Sequence, residues 1–433
     1  MLLALAIFVA VLLATALEWT HLSIAALLGA TAMLLLGILT PQQAIASLNS
    51  GGGTIALLFG MMLIVRALES SGAFQGLAHR LGEISGGEGK RLLLGLVLVS
   101  IPIGALLPNP SAVLLLAPLL PPMARELKID FRPLLILMVL ATNSASLLTL
   151  IGDPALYIIG SGMHWGFNDY LRQVSPVALL VLAAILPTLP WLYRPIWNAR
   201  LQPSAVRPLP AHHRGALPWL SGVGLLMLVL FVTGQALPGH LDPAAVALGG
   251  AVATLLISHH SGLKSVDGLL ASIDWGTLLY FAAVFVLVGG LEHSGALNSL
   301  ASQLAQGVQA NLVGSSLWLL WISALISALV PNIPVVAALT PLLLTACSDS
   351  GFVVAGVPTS HALPLFEALM LGVVIGGSAT VIGSSSNLVA AGVARQQGSS
   401  LGFRTWLGYG LPTVGLQLLL ATVLLGLQTL VLS

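Results

Sequence analysis

"LLPNPSAVLLLAPLL", residues 106–120, interrupts an apolar run that extends from about Leu92 to Ala124. A second stretch, "LVPNIPVVAALTPLL" at 329–343, repeats the interruption: Pro108, Asn109 and Pro118 recur as Pro331, Asn332 and Pro341, each 223 residues later. Proline removes a backbone donor and strains the helical turn before it, so neither run reads as one uninterrupted helix. Two proline–asparagine breaks at matched positions point to a paired device.

Around these breaks lie 433 residues of which 57% are hydrophobic and 7% charged, with a mean hydropathy of +1.01. Soluble domains carry about a quarter charged residues. Apolar stretches of about 20 residues, enough to cross a hydrocarbon core of roughly 30 Å, follow one another along the chain. This is the composition of a polytopic helical membrane protein, and the net charge of +1 says little about partners. The single cysteine, Cys347, excludes an internal disulfide and a cysteine metal cage; it reads as a small apolar residue near a helix end. The opening "MLLALAIFVAVLLATALEW" has no basic n-region and no small-residue cleavage motif, and is expected to be a retained first helix.

Spans are expected at about 2–17, 22–39, 54–74, 132–162 and 172–193, with the broken run 92–124 between the third and fourth. The same order returns at 217–236, 243–258, 275–292, a broken run at 312–346, then 364–394 and 405–432. "LESSGAFQGLAHRL" (68–81) lies over "LEHSGALNSLASQL" (291–304) at the same offset, identical at eight of fourteen positions. The reading is therefore an all-α polytopic membrane protein of two repeats, 1–197 and 216–433, joined by a cytoplasmic connector at 198–215. Each repeat holds five transmembrane helices plus one re-entrant hairpin. Five crossings is an odd number, so the second repeat enters upside down, as in many secondary transporters.

Charge supports this topology. With both termini outside and each broken run returning to its own side, Arg80, Lys90, Arg91, Arg125, Lys128, Arg132, Arg194, Arg200, Arg207, Arg214, Lys264, Arg395 and Arg404 all fall inside, as the positive-inside rule expects, with only Arg172 outside and Arg66 near a span end. Full crossings would put Lys90 and Arg91 on the opposite side from Arg125 and Lys128. An arm such as Leu92–Leu107 is about 16 residues, or roughly 24 Å of helix, short of a crossing. Non-helical backbone at membrane depth is tolerated only when buried in protein or lining a watery cavity. The two tips, Pro108-Asn109-Pro110-Ser111 and Pro331-Asn332-Ile333-Pro334, are expected to approach each other near the midplane.

A second kind of break lies within "LATNSASLLTLIGDPALYIIGSG" (140–162) and "GVVIGGSATVIGSSSNLVAAG" (372–392). Thr149 to Asp153 align with Thr380 to Ser384 at an offset of 231. Glycine with small hydroxyl residues unwinds a helix and frees its backbone to bind. Half-helix N-termini suit an anion, and unwound carbonyls suit a cation such as Na⁺. Each such residue alone has an ordinary explanation in helix packing; the matched constellation does not. Asp153 is the one carboxylate expected at an unwound break, either coupling and binding or capping the next half-helix. Glu69 and Glu292 fall at span ends, and Arg66 sits one turn from Glu69. His164 reads as interfacial, and His212, His213, His259 and His260 lack partners for a metal. Trp19, Trp165, Trp191, Trp219, Trp275 and Trp406 suit an interfacial belt.

These elements resemble the ion transporter superfamily of arsenite permeases, NhaD-type sodium–proton antiporters, citrate transporters and divalent anion–sodium symporters, over nearly the whole chain. "TLIGDPALYIIGS" (149–161) is similar to that family's Thr-Leu-Ile-Gly-Asp-Pro-Pro-Asn segment, "GGSATVIGSSSNLVAAGVA" (376–394) to its second-half partner, and "LFGMMLIVRALESSGAF" (58–74) to the stretch before the first hairpin. The resemblance implies two hairpins, two unwound helices, a substrate between them, a homodimer and elevator-like movement. Carried over by position, the binding loops comprise Asn109, Ser111, Asn143, Thr149, Gly152 and Asp153, and from the second half Asn332, Ser378, Thr380, Gly383, Ser384, Ser385 and Asn387. Three departures bear on substrate. The Asp common at both tips is Pro108 and Pro331, the Ser-Asn-Thr signature of dicarboxylate symporters is absent, and the Pro-Asn after the break is Ala155-Leu156.

No Walker motif, Gly-x-Ser-x-Gly elbow, His-Glu-x-x-His motif or nucleotide fingerprint stands in a credible context. The expectation is a secondary active transporter of a small organic or inorganic anion, coupled to Na⁺ or H⁺, in a bacterial cytoplasmic membrane, with no other cofactor and no nucleic-acid partner. The rivals are an NhaD-like Na⁺/H⁺ antiporter, which needs titratable midplane carboxylates, and an intramembrane enzyme or scaffold. No nucleophile–base pair supports an enzyme, and a scaffold has no use for matched hairpins.

Overall fold

Leu107 stands before a proline, a position from which the helical region is sterically disfavoured. Its backbone is extended (φ −116°, ψ 143°), and the helix before it stops at Leu106. Pro108 and Pro331 hold nearly the same conformation, φ −53° with ψ 134° and 143°, and each opens a new helix at the asparagine that follows. The two breaks read from the sequence are thus one local structure built twice. The structure, a computed structural model, describes residues 1–17, 19–72, 86–200, 215–237, 241–354 and 357–432.

The first half runs α1 (Leu2–Ala16), α2 (Leu22–Leu35), α3 (Pro41–Ser50) and α4 (Gly52–Ser70). The first hairpin follows as α5 (Gly89–Leu106), α6 (Asn109–Leu116), a 3₁₀ turn and α7 (Leu120–Glu126). The first broken helix is α8 (Phe131–Ser146) and α9 (Pro154–Gly162); then come α10 (Phe167–Gln173), α11 (Ser175–Ala183), α12 (Leu189–Leu192) and α13 (Arg194–Trp197). The second half runs α14 (Leu217–Thr233), α15 (Pro243–His260), α16 (Val266–Ala271), α17 (Trp275–His293) and α18 (Ala296–Ala310). Its hairpin is α19 (Leu312–Ser327) and α20 (Asn332–Asp349), its broken helix α21 (Leu363–Gly377) and α22 (Ser385–Gln396), and α23 (Phe403–Leu432) is last. Side-chain caps fix several starts: Asp130 before α8, Asp242 before α15, Asp274 before α17, Asn311 before α19, and a Thr40/Gln43 capping box before α3.

Four details differ from the sequence reading. Val353–Val354 pair antiparallel with Val357–Pro358, so the chain is not wholly α. The helices α3 and α18 were not among the expected spans; both are amphipathic and half buried. The hairpin arms α5 and α20 each have 18 residues and count among the seven described helices long and apolar enough to cross a bilayer, longer than the expected 16. The expected span at 172–193 is present as Ser175–Leu192, long and apolar enough to cross, but it is not one regular helix: a 3₁₀ turn at Leu186–Thr188 separates α11 from α12 where Pro187 and Pro190 fall. The connector core 201–214, with Arg207, Arg214, His212 and His213, and residues 73–85, with Arg80, lie outside the described residues.

Packing follows the repeat. α5 lies along α8 as α19 lies along α21; α4 meets α15 as α17 meets α2; α6 meets α22 as α20 meets α9. Each contact has its mate at the repeat offset. Buried side chains form two large apolar groups, one around the hairpins and broken helices, the other around α1 to α4, α17 and α18. The outside is the inverse of a soluble protein: Leu98, Leu225, Leu325 and Val423 are exposed, whereas Asn109, Asn143, Asp153, Asn332, Glu367 and Asn387 are buried. Hydrocarbon as solvent produces that arrangement. Trp19, Trp191, Trp219 and Trp275 are exposed as a belt requires. Trp406 is not: it is fully buried, its indole N–H donating to the Ser378 carbonyl at 3.0 Å.

Candidate functional site

Both broken helices restart on an extended residue, Asp153 (φ −138°, ψ 132°) and its repeat mate Ser384 (φ −143°, ψ 144°). Behind each, a threonine hydroxyl donates to the last carbonyls of the facing hairpin arm: Thr149 to Ala105, and Thr380 to Ala328 at 2.5 Å. Ala105 and Ala328 are themselves 223 residues apart. Gly152 is needed here because a Cβ would fall 2.6 Å from the Ser146 carbonyl oxygen and 2.9 Å from that of Gly104. Gly383 repeats this, at 2.6 Å from Gly377 O and 2.8 Å from Ser327 O. Thr149, Thr380, Gly152 and Gly383 thus lock the unwound segments against the hairpins.

Asp153 is the junction. Its Oδ1 caps α9 by accepting from Ala155 N at 2.9 Å. Its Oδ2 accepts from Asn109 Nδ2 at 2.7 Å and from Asn332 Nδ2 at 3.5 Å, so one carboxylate gathers both hairpin tips. The capping role and a role at the break are both realised in one side chain. Asn109 also reaches Ser146 Oγ at 3.2 Å, while its Oδ1 has no hydrogen-bond partner. Asn332 Oδ1 lies 2.7 Å from Ser327 Oγ.

Four helix N-termini, those of α6, α9, α20 and α22, converge here. Asn109, Ser111, Asp153, Asn332, Ser384 and Ser385 line one side of a cavity of about 40 Å³. Leu58 and Met62 of α4 and Thr277 and Phe281 of α17 close the other. One water needs about 10–15 Å³ of such space, so a small ion fits and a tricarboxylate requires the tips to part. The first turns of α6, α20 and α22 offer N–H groups and partial positive charge, whereas α9 adds only its dipole, since Pro154 has no N–H and Ala155 N is taken by Asp153. No Lys or Arg lines the cavity. A larger space of about 640 Å³, between α18, α19 and α20, is lined by Leu304, Trp318 and other side chains without an ionisable group, and does not reach the breaks.

Asn143, Ser378 and Asn387 form a second cluster beside the first and do not line the cavity. Asn143 Nδ2 donates to Ser378 Oγ and Asn387 Oδ1, each at 3.1 Å, and Ser386 Oγ donates to Asn143 Oδ1 at 2.8 Å. Asn387 Nδ2 donates to the Gly377 and Thr380 carbonyls at 2.8 and 2.7 Å. These carbonyls belong to the end of α21 and the unwound segment after it, so the Asn387 amide does the work of the missing helical turn. It ties the first broken helix to the second. Sequence reasoning missed Ser146 and Ser386, short hydroxyls indistinguishable there from helix-packing residues. It also missed Glu367, whose signal was available: a lone acid in the apolar helix "LPLFEALMLGVVIGG".

Paired hairpins, paired broken helices and a polar cavity between them inside an apolar shell define a multi-pass membrane transporter, not an enzyme. The chain belongs to the family described as "Citrate transporter", whose model matches residues 10–365. It is 40% identical over 429 residues to an uncharacterized transporter of Synechocystis sp., covering 97% of this chain and 96% of that one. An uncharacterized transporter of Mycobacterium tuberculosis is 34% identical over 435 residues, covering 99% of each. Among solved structures, the YdaH transporter of Alcanivorax borkumensis, described as having an unusual topology, aligns with a TM-score of 0.64 at 16% identity, over 89% of this chain and 86% of that one. At that identity the likeness is one of fold.

Proposed function

We propose that this protein is a secondary active transporter of a small anion, coupled to Na⁺ or H⁺. In this reading two inverted repeats carry the hairpins and broken helices as a body that moves by an elevator mechanism. The observation that carries it is the convergence of four helix N-termini and two asparagine amides on a cavity without cationic side chains. Such a site holds an anion by N–H donors and dipoles. Asp153 sits in the same cavity and opposes an anion unless a cation or proton joins it, which is the physical reason for coupling. Asn109 Oδ1, an acceptor without a partner, is available to that cation. The family description brings citrate into the panel of candidate substrates, alongside smaller oxyanions.

The re-entrant, inverted arrangement draws support from where the basic residues meet. Lys90 lies over the Trp197 ring at 5.4 Å, Glu88 pairs with the backbone of Arg200, and Arg125 Nη2 donates to Gln397 Oε1 at 2.5 Å. These contacts gather both ends of the first hairpin, the end of α13 and the end of α22 toward one charged face, read as cytoplasmic in a bacterial inner membrane with both termini outside. A homodimer completes the reading.

The test is thermal unfolding of the purified protein with succinate, citrate, sulfate, phosphate, arsenite or silicate, each in Na⁺ and in choline. A bound ligand at about 100 times its Kd adds about 2.7 kcal/mol of apparent stability. Stabilisation by one anion, stronger in Na⁺ or at low pH, is the expected result. Stabilisation by Na⁺ or Li⁺ alone, with no anion effect, would favour the antiporter, for which Asp153 is the titratable group at hand.

A further inference from the structure

Two carboxyl groups are buried among the described residues, and they are supplied very differently. Asp153 accepts three N–H bonds. Glu367, on α21 about one turn from Leu363, is fully buried, and neither of its carboxyl oxygens has a hydrogen-bond partner. An ionised carboxylate without donors is strongly disfavoured in a low-dielectric interior. Opposite it on α23 stands the side chain of Gln428, whose Oε1 is also buried and without a donor. The Gln428 amide lies beside the Glu367 carboxyl, and both carboxyl oxygens and the amide oxygen are left short of a donor. A proton on Glu367 supplies one, as an O–H donor toward Gln428 Oε1. An N–H of the Gln428 amide reaches at most one carboxyl oxygen and leaves the other bare.

The charged surroundings are sparse. Elements packed against α21 are α8, α9, α19, α20 and α23. α19 has no titratable side chain; α8 has Arg132 at its far end, α9 has Tyr157, and α20 has Cys347 and Asp349. On α23, Tyr409 and Arg404 stand roughly 28 and 36 Å from Gln428 along the helix. None of these acts on Glu367. Tyr170 lies within electrostatic reach of both Glu367 and Asp153, and its hydroxyl donates to the Leu147 carbonyl, where α8 ends, at 2.9 Å. The acid and the break that carries Asp153 thus share Tyr170 as a neighbour.

We propose that Glu367 and Gln428 form a proton-binding site, and that the proton held there is the one coupled to the anion. The second clause rests on the transporter reading above; the first does not. The proton stays an exchangeable O–H hydrogen on the Glu367 carboxyl, lost when the site meets water on the other side of the membrane.

Infrared spectra of the purified protein at neutral pH test the first clause through the carbonyl-stretch band of protonated carboxylic acids. Wild type is expected to show this band, Asp153→Asn to retain it and Glu367→Gln to lose it. Gln428→Leu, which removes the acceptor, is expected to move it to higher wavenumber. A band unchanged in Glu367→Gln, or absent from wild type, overturns the site. If Glu367→Gln does not fold, the Gln428→Leu displacement decides, and an unmoved band overturns the proposal. For the second clause, radiolabelled citrate and phosphate are offered separately to proteoliposomes. An inward gradient of about one pH unit supports about tenfold accumulation per coupled proton. Wild type is expected to respond so, Glu367→Gln to lose the response and Glu367→Asp to restore part of it. A full response in Glu367→Gln overturns the coupling role. If wild type accumulates neither probe, the transport reading fails for these anions and the coupling clause falls with it; the infrared band still decides the site.

Discussion

Asn109 and Asn332, 223 residues apart in the sequence, meet on one carboxylate oxygen, Asp153 Oδ2, the first at 2.7 Å and the second at 3.5 Å. Repeat mates share a ligand that has no acidic mate of its own, since Ser384 stands at the position matching Asp153. The halves are therefore symmetric in backbone and asymmetric in charge. The one acid of the breaks thus lies on one side of the pseudo-symmetry, while both tips contact it.

The unequal lengths of these two bonds give a ranking. Asn109→Ala removes the shorter bond and leaves a buried carboxylate oxygen with one weak donor, a loss of about 1–3 kcal/mol. Asn332→Ala removes a bond at the limit of hydrogen-bond length, and the Ser327 hydroxyl it also releases keeps the Val373 carbonyl as acceptor, so it is expected to cost less. Thermal unfolding of the two variants in the same detergent measures the order, and a reversed order would show that Asn332 is the principal donor.

Backbone proximity predicts a sharper contrast at the glycines. Gly152→Ala and Gly383→Ala each place a Cβ 2.6 Å from a carbonyl oxygen that cannot rotate away, and overpacking of this kind costs about 1–3 kcal/mol or more. Gly249→Ala and Gly392→Ala, where a Cβ meets nothing within 4 Å, are expected to be neutral or slightly stabilising, since alanine is the better helix former. Expression and monodispersity of the four variants settle this. Equal behaviour would mean that the unwound segments have room to relax.

Asn143 and Asn387 are joined at 3.1 Å between the two broken helices. Single alanine variants should each destabilise, and Asn387→Ala more, because it bares the Gly377 and Thr380 carbonyls as well. The double variant should be less destabilised than the sum, with a coupling of about 0.5–3 kcal/mol. Strict additivity would argue that the two asparagines act independently.

Tyr157 on α9 donates to Asp242, the cap of α15, at 2.9 Å. In the elevator reading this bond joins the moving body to the frame. Tyr157→Phe leaves Asp242 capping Ala244 N and removes about 0.5–1.5 kcal/mol from the joint. The expected outcome is a several-fold faster uptake in proteoliposomes with little loss of thermal stability. A slower rate with an unchanged unfolding temperature would place α9 and α15 in the same body.

The tips and breaks were legible because proline and glycine act through the backbone of their own and adjacent residues: Pro108, Pro331, Gly152 and Gly383 mark where helices stop whatever surrounds them. Trp406 was not, and Glu367 only in part. An indole suits an interface and a buried socket equally well, and the backbone carbonyl that Trp406 meets is chosen by how α23 packs on the second break. The isolated acid in α21 announced a cost but not the glutamine, 61 positions later, that faces it.

What the sequence determined by itself is the inventory: an apolar chain, two matched halves, and the positions where each helix breaks, all consequences of hydropathy and local backbone sterics. Which residues share the cavity was decided only by tertiary structure. Thr149, Thr380, Asn143 and Asn387 are as polar as Asn109 and Asn332, and their pattern is no weaker. They are spent on carbonyls and on one another because the broken helices cross the hairpins closely, where every buried backbone group must find a partner inside the protein. Only the groups left at the converging helix starts, Asp153 and the two tip asparagines foremost, face the cavity.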